Sequence, residues 1–189
     1  MRWSVILSIF VMLVITLVMG GWLTHVAMHR PAFAIDSAQP FHIEFGRGSG
    51  WHGLDTVKLD QTGRVVLHRC RYERRPDAIR GFLETTTLQL SPEALAEVLK
   101  SVESNNLLGL SKKYTTNIND GTQWILWVKQ GEHEMSVYCD NSFPYAISSF
   151  ADELDAVLDR AAIAKATWVP VPPSESRDHE NALWDSIRR

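Results

Sequence analysis

From Trp3 to Met28 the chain carries no Asp, Glu, Lys or Arg, twenty-six residues in a row. No other feature limits the fold as sharply, because a helix of that composition has no polar face to turn toward water. Its most apolar part runs from Val5 to Met19. At ~1.5 Å rise per residue the run makes a helix of roughly 39 Å. That is long enough to cross a hydrocarbon layer about 30 Å thick with some tilt. Trp3 and Trp22 stand near its two ends, where amphipathic rings favour the interface. Residues 1–28 are therefore expected to form a retained, single-pass transmembrane anchor in the cell membrane. Cleavage is the competing reading. Arg2 makes a short basic start and Ala32-Phe33-Ala34 has the small-x-small form of a cleavage site, although it lies roughly fifteen residues beyond Met19. Arg2 before the run and His29 and Arg30 after it leave the flanking charge nearly balanced. A short N-terminal tail ahead of a long domain is the pattern of a signal anchor, which puts the domain outside the cytoplasm. A domain tethered to the inner face is the alternative.

Behind this run, residues 29–40 read as a linker, 41–163 as a single α+β domain, and 164–189 as a Pro-containing, flexible tail. Lys and Arg number 19 against 22 Asp and Glu, a net charge of −3, which excludes a general nucleic-acid binder. Two cysteines exclude a disulfide-dense scaffold and a four-cysteine zinc site.

Within the domain, Phe41, Ile43 and Phe45 alternate with polar neighbours, as in a half-buried strand. Gly46 to Gly53 reads as a glycine-rich loop. Residues 54–59 and 64–72 read as a hairpin around Asp60-Gln61-Thr62-Gly63, and Phe82 to Leu90 as a further strand. Ser91-Pro92-Glu93 is a helix start, with Ser91 placed to cap and Pro92 in the first turn. Leu95, Val98, Leu99 and Val102 then form one apolar stripe, and Asn105-Asn106 ends the helix. Residues 122–129 and 132–139 read as a hairpin about Gln130-Gly131, the first arm apolar on both faces, as in a central strand covered on both sides or one with a face awaiting a partner. Pro144 opens a last helix. The order ββββ-α-ββ-α predicts α+β, a mainly antiparallel sheet with helices packed on one face, preceded by one transmembrane helix.

Candidate chemistry is thin. Gly46-Arg47-Gly48-Ser49-Gly50 lacks the following helix and the Gly-Lys-Ser/Thr that a phosphate loop needs. Ser49 lacks the flanking glycines of a nucleophile elbow. His68 and His133 would make a metal site with Cys70 or Cys139 only if their strands adjoin. Asn117 to Gly121 reads as a turn, since position 12 of a calcium loop would fall on Val128. Cys70 and Cys139 are either one disulfide, if their strands neighbour each other, or two buried thiols. The loop residues Trp51, His52, Asp120, Asp140 and Asn141 are the candidate ligand contacts. Trp124 and Trp127 are three apart on a strand and must face opposite sides. In the tail, a frayed terminus is the default reading, and Ala182, Leu183, Trp184 and Ile187 offer as the alternative a short amphipathic turn that docks on the domain, a partner or the lipid surface. No cofactor is expected.

The stretch Asp120-Gly121-Thr122-Gln123-Trp124 through Trp127, Lys129-Gln130-Gly131, Val137-Tyr138, Asp140-Asn141 and Phe143-Pro144 resembles uncharacterised bacterial proteins that are membrane-anchored or exported. So does the upstream order of hairpin, Leu-Ser-Pro-Glu start and Leu107 to Leu110. The resemblance implies a domain of unknown function and transfers no active-site residue. The expectation is a membrane-tethered, non-catalytic binding domain facing the cell envelope, whose partner is a protein or envelope ligand and not nucleic acid. The alternatives are an envelope enzyme with a loop-borne site around His52, Asp120, Asp140 and Asn141, or an assembly component.

Overall fold

The computed structural model describes residues 33–49, 53–74, 79–118, 121–172, 175 and 180–188. Among the described residues eight strands form one sheet: β1 His42–Ser49, β2 Gly53–Asp60, β3 Arg64–Arg74, β4 Ile79–Gln89, β5 Lys113–Thr115, β6 Gln123–Gln130, β7 His133–Asp140 and β8 Val169–Pro170. Their spatial order is β5-β7-β6-β1-β2-β3-β4-β8. The helices are α1 Pro92–Ser104, α2 Tyr145–Arg160 and α3 Asn181–Ser186.

The local signals act as their chemistry requires. Gly63 adopts φ 76° and its N–H donates to Asp60 O at 3.0 Å, closing the β2–β3 hairpin in a conformation that side chains resist. Ser91 Oγ accepts the Ala94 N–H at 3.2 Å at the start of α1. Asn106, at φ 49°, takes the left-handed turn that ends the helical run.

Register sorts the side chains onto two faces. Ile43 lies opposite Leu59 on β2 and Val128 on β6, and Phe45 opposite Val57 and Leu126. These residues, with Val65, Leu67 and Val137, form the main core together with α1 and α2. α2 contributes Ile147, Phe150, Leu154, Val157 and Leu158, all buried. Phe45 meets Phe150 edge-on, ring centroids 5.5 Å apart, and Trp124 on the other side. The opposite face holds Leu54, Ile125 and Leu183 as a second small core. Trp124 and Trp127 do face opposite ways, the first against Phe45 and Phe143, the second against His42.

The expected fold class is overturned in two respects. The sheet is mixed and eight-stranded, because β5 runs parallel to β7 along the outer edge. A strand of three residues has no alternation to read, which is why the order ββββ-α-ββ-α omits it. The helices do not share one face: α3 docks on the side away from α1 and α2. No helix among the described residues is long and apolar enough to cross a membrane, and the predicted anchor, residues 1–28, lies outside them. The glycine-rich stretch is also different from the loop expected. Gly46 to Ser49 continue β1 in full register with β2, from Gly46 opposite Thr56 to Ser49 opposite Gly53. Residues 164–189, read as a tail, supply both β8 and α3.

Candidate functional site

An apolar groove of about 600 Å³ runs between α1 and the stretch 33–37. Phe33 and Ile35 wall one side, Leu95, Leu99 and Val102 the other, and Leu108 closes the end. The stripe on α1 is wider than its core contact needs. Val98 and Val102 bury themselves against α2 and the sheet, whereas Leu95 and Leu99 remain half-buried and line the groove. The outer wall is fastened from below. Gln130, buried at the end of β6, accepts the Asp36 N–H through Oε1 at 2.8 Å and donates through Nε2 to Asp36 O at 2.8 Å. Phe33 stacks on His133, centroids 5.4 Å apart and 19° from parallel. A Gln buried at a strand end meets its donors and acceptor inside the protein, which holds the wall in one place.

A second, polar cleft of about 440 Å³ lies where β2 and β3 part, under α2 and Trp168. The β2–β3 ladder stops at Thr56 opposite His68, and the Asp55 carboxylate accepts the Cys70 N–H at 2.7 Å in place of a strand partner. Arg47 donates to both Asp155 oxygens, at 2.8 and 2.6 Å. Arg69 donates to Glu84 at 2.8 Å and lies 3.8 Å from the Trp168 ring centroid. The two guanidiniums are thus committed to carboxylates and an aromatic face inside the protein. The Cys70 thiol is not part of this cleft: its Sγ lies 3.9 Å from Leu54 O, on the side of the sheet where Glu180 sits. Burial first, then the charges of Asp55 and Glu180, push Cys70 up to about 12.

On the opposite face Glu44, only 1% exposed, lies 3.1 Å from His42 Nε2 and 3.0 Å from Lys58 Nζ. A buried carboxylate between two basic side chains is a means of keeping a charge inside a sheet. Trp127 covers it, edge-on to His42 and donating its indole N–H to Glu134 at 2.9 Å.

Of the predicted contacts, Trp51, His52 and Asp120 lie outside the described residues. Asp140 and Asn141 come together, but as a fastening. Asn141, at φ 54°, accepts the Thr122 N–H through Oδ1 at 2.9 Å and donates to Asp140 at 2.9 Å. Its backbone N–H donates to Thr122 O at 3.0 Å, so the pair pins the entry of β6 to the exit of β7. Cys70 and Cys139 are both free thiols. They stand on β3 and β7, with β2, β1 and β6 between them. Four strand spacings amount to roughly 19 Å, far beyond the ~7 Å that a disulfide tolerates. The disulfide is therefore corrected to two separate thiols. His68 and His133 sit on the same two strands and do not meet.

The residues that build the groove were unmarked as site residues in the sequence. Gln130 looked like half of a tight turn, and Phe33 like part of a cleavage motif. The usable signal was the excess width of the α1 stripe. No protein family's sequence pattern matches this chain, and no curated protein is similar to it.

Proposed function

We propose that this chain is a membrane-tethered binding domain, without catalysis of its own, whose apolar groove receives an acyl chain at the lipid surface. One observation carries the reading: Phe33, in the groove's outer wall, stands five residues after the uncharged run ends at Met28. Five residues reach at most about 18 Å. With residues 1–28 in the bilayer as a signal anchor, the groove opens beside the lipid headgroups on the extracytoplasmic side, where acyl chains are the most abundant apolar ligand. Its volume falls within the ~300–1,000 Å³ usual for ligand sites. Its lining is mostly aliphatic and aromatic, with Ser37, Lys100, Glu103 and Asn106 as its polar groups. The resemblance to anchored or exported bacterial domains belongs to the same reading.

The test is titration of the purified full chain with a fluorescent fatty acid. Saturable binding is expected, weakened about tenfold or more by Leu99→Asp, the equivalent of ~1.4 kcal/mol. Leu99 is half-buried and packs against the core, so an unchanged far-UV circular dichroism spectrum of the variant is required for its weakened binding to count. Absence of saturable binding, or binding indifferent to Leu99→Asp, overturns the assignment. Binding that appears only once residues 1–32 are removed gives the groove to the chain's own N-terminus instead.

A further inference from the structure

The polar cleft under α2 owes its charges to strand alternation and its space to a strand pair that ends early. Arg47 follows Phe45, Asp55 precedes Val57 and Arg69 follows Leu67 on the side of the sheet that faces the helices. Arg47 and Asp55 stand opposite each other on β1 and β2. Pairing of β2 with β3 stops at Thr56 and His68, so the strands leave a gap beyond. α2 brings Asp155 and Asp159 to that gap from its last turns, and the chain after it brings Ile163 and Trp168. Val57, Leu67, Leu158 and Ile163 form the apolar part of the lining.

Most of the charges are answered within the protein, and those left over are what a ligand would meet. Arg47 uses both of its Nη groups on the Asp155 carboxylate. Arg69 is held on two sides only: Nε–H donates to Glu84 at 2.8 Å, and Cζ lies 3.8 Å from the Trp168 ring centroid. Among the described residues no acceptor bonds its Nη groups, which carry most of the guanidinium's donors. The side chain is 28% exposed, so this fork is fixed in advance and still reachable. Glu84 is shared with Arg71, whose Nε lies 3.7 Å away, so two guanidiniums and one carboxylate leave a positive charge. Two carboxylates keep free oxygens. Asp55 uses one oxygen, on the Cys70 N–H, and the Asp159 side chain has no hydrogen-bond partner among the described residues.

A charge enters a confined space at low cost only where it finds a partner. A carboxylate alone would meet Arg69 but also Asp55 and Asp159. An amine alone would meet those carboxylates but also the unanswered guanidinium. A molecule with both charges finds a partner for each. The geometry points to this cleft as a binding site for a small zwitterion of the amino-acid class with an apolar side chain. Its carboxylate sits on the Arg69 Nη fork, its ammonium at Asp55 and Asp159, and its side chain against Val57, Leu67 and Leu158. A planar fork held before the ligand arrives suits a carboxylate in two parallel hydrogen bonds. The cleft, at about 440 Å³, is of the size usual for small-molecule sites. This reading is independent of the apolar groove and of the tether.

The test is calorimetric titration of the purified full chain with L-leucine, leucyl-leucine, isocaproate (leucine without its ammonium) and isoamylamine (leucine without its carboxylate). Saturable binding of leucine or of leucyl-leucine is expected, with both truncated analogues at least about tenfold weaker. Arg69→Lys keeps the charge but loses the fork, and should weaken binding of the zwitterion about tenfold. Asp55→Asn combined with Asp159→Asn should remove most of the zwitterion's advantage over isocaproate. That comparison is made within one chain, so a general loss of stability does not imitate it. Neither zwitterion should displace the fluorescent fatty acid, so the failure of this site and the failure of the groove are read separately. Absence of saturable binding by both zwitterions overturns the inference. So does either truncated analogue binding as tightly as the zwitterion, an undiminished preference in the Asp55→Asn, Asp159→Asn chain, or displacement of the fatty acid. If a variant does not fold, the analogue series on the unaltered chain decides alone.

Discussion

At the scale of single residues, Asn141 and Cys139 show how polar and titratable groups serve this fold. Asn141 occupies a left-handed position and answers the Thr122 N–H. Asn141→Ala removes the acceptor and leaves a Cβ-bearing residue without its local hydrogen bond at φ 54°. The expected loss is about 2 kcal/mol in urea denaturation. A ligand contact at the same position would leave stability near its original value, so the measurement separates the two roles. Cys139 has no exposed surface, and burial pushes its thiol from 9.0 to about 12. In the unfolded chain the thiol loses its proton near the ordinary value, while the folded chain keeps it. Between those two pH values the native state binds more protons, so stability falls as pH rises, by at most about 1.4 kcal/mol per pH unit. Below that window the thiol makes no contribution to pH dependence. Denaturation midpoints across the window should slope less steeply in Cys139→Ala than in the parent chain, and equal slopes would refute the assignment. Asp60 is the opposite case. Desolvation alone would raise it, but the Thr62 side chain, the Thr62 and Arg64 backbones and the Arg64 charge together hold it low. The turn that Asp60 anchors therefore weakens only in acid.

At the scale of elements, the parts legible in the sequence are those whose causes lie within a few residues. Gly63 and the Ser91-Pro92 start each specify their element by local chemistry, and the alternation of Phe41, Ile43 and Phe45 names its buried face without help from the rest of the chain. β5 and β8 have three and two residues, so neither carries a period. Continuation of β1 through Gly46 and Gly48 contradicts the low strand preference of glycine. Its support is long-range: β2 and β6 pair along it on both sides, and Leu183 seats over Gly46, contacts that no local pattern contains. α3 depends on that contact in turn, since six residues cannot sustain a helix alone. Leu183→Ala should cost about 2 kcal/mol or more, the low end for a buried leucine because a terminal helix can lift away instead of leaving a cavity. Hydrogen exchange locates the effect. The Leu54 amide, bonded to Glu180, should exchange much faster in the variant, while the Val57 amide on the same strand keeps its protection. Equal acceleration at both would mean global unfolding and no separable α3.

At the scale of the whole molecule, the two ends of the described residues flank the sheet: residues 33–37 wall a groove on α1, and α3 packs on the far face. The candidate site was obscure in the sequence for that reason, since both features join segments far apart along the chain. Phe33 connects this geometry to the question of the N-terminus. Cleavage after Ala34, at the small-x-small motif, would remove the ring that stacks on His133 and half of the groove's outer wall. A retained anchor leaves the wall whole. The two arrangements predict different molecules. With the anchor in place, the intact mass of the purified chain includes residues 1–34, and the chain sediments with membranes, resists alkaline carbonate and is released by detergent, as burial of some twenty apolar residues requires. Protease added outside the cell membrane should then cut the domain before lysis if it faces the envelope. A shortened chain recovered without detergent would refute the tether. It should also bind the fluorescent fatty acid more weakly than the full chain, because its groove would lack Phe33.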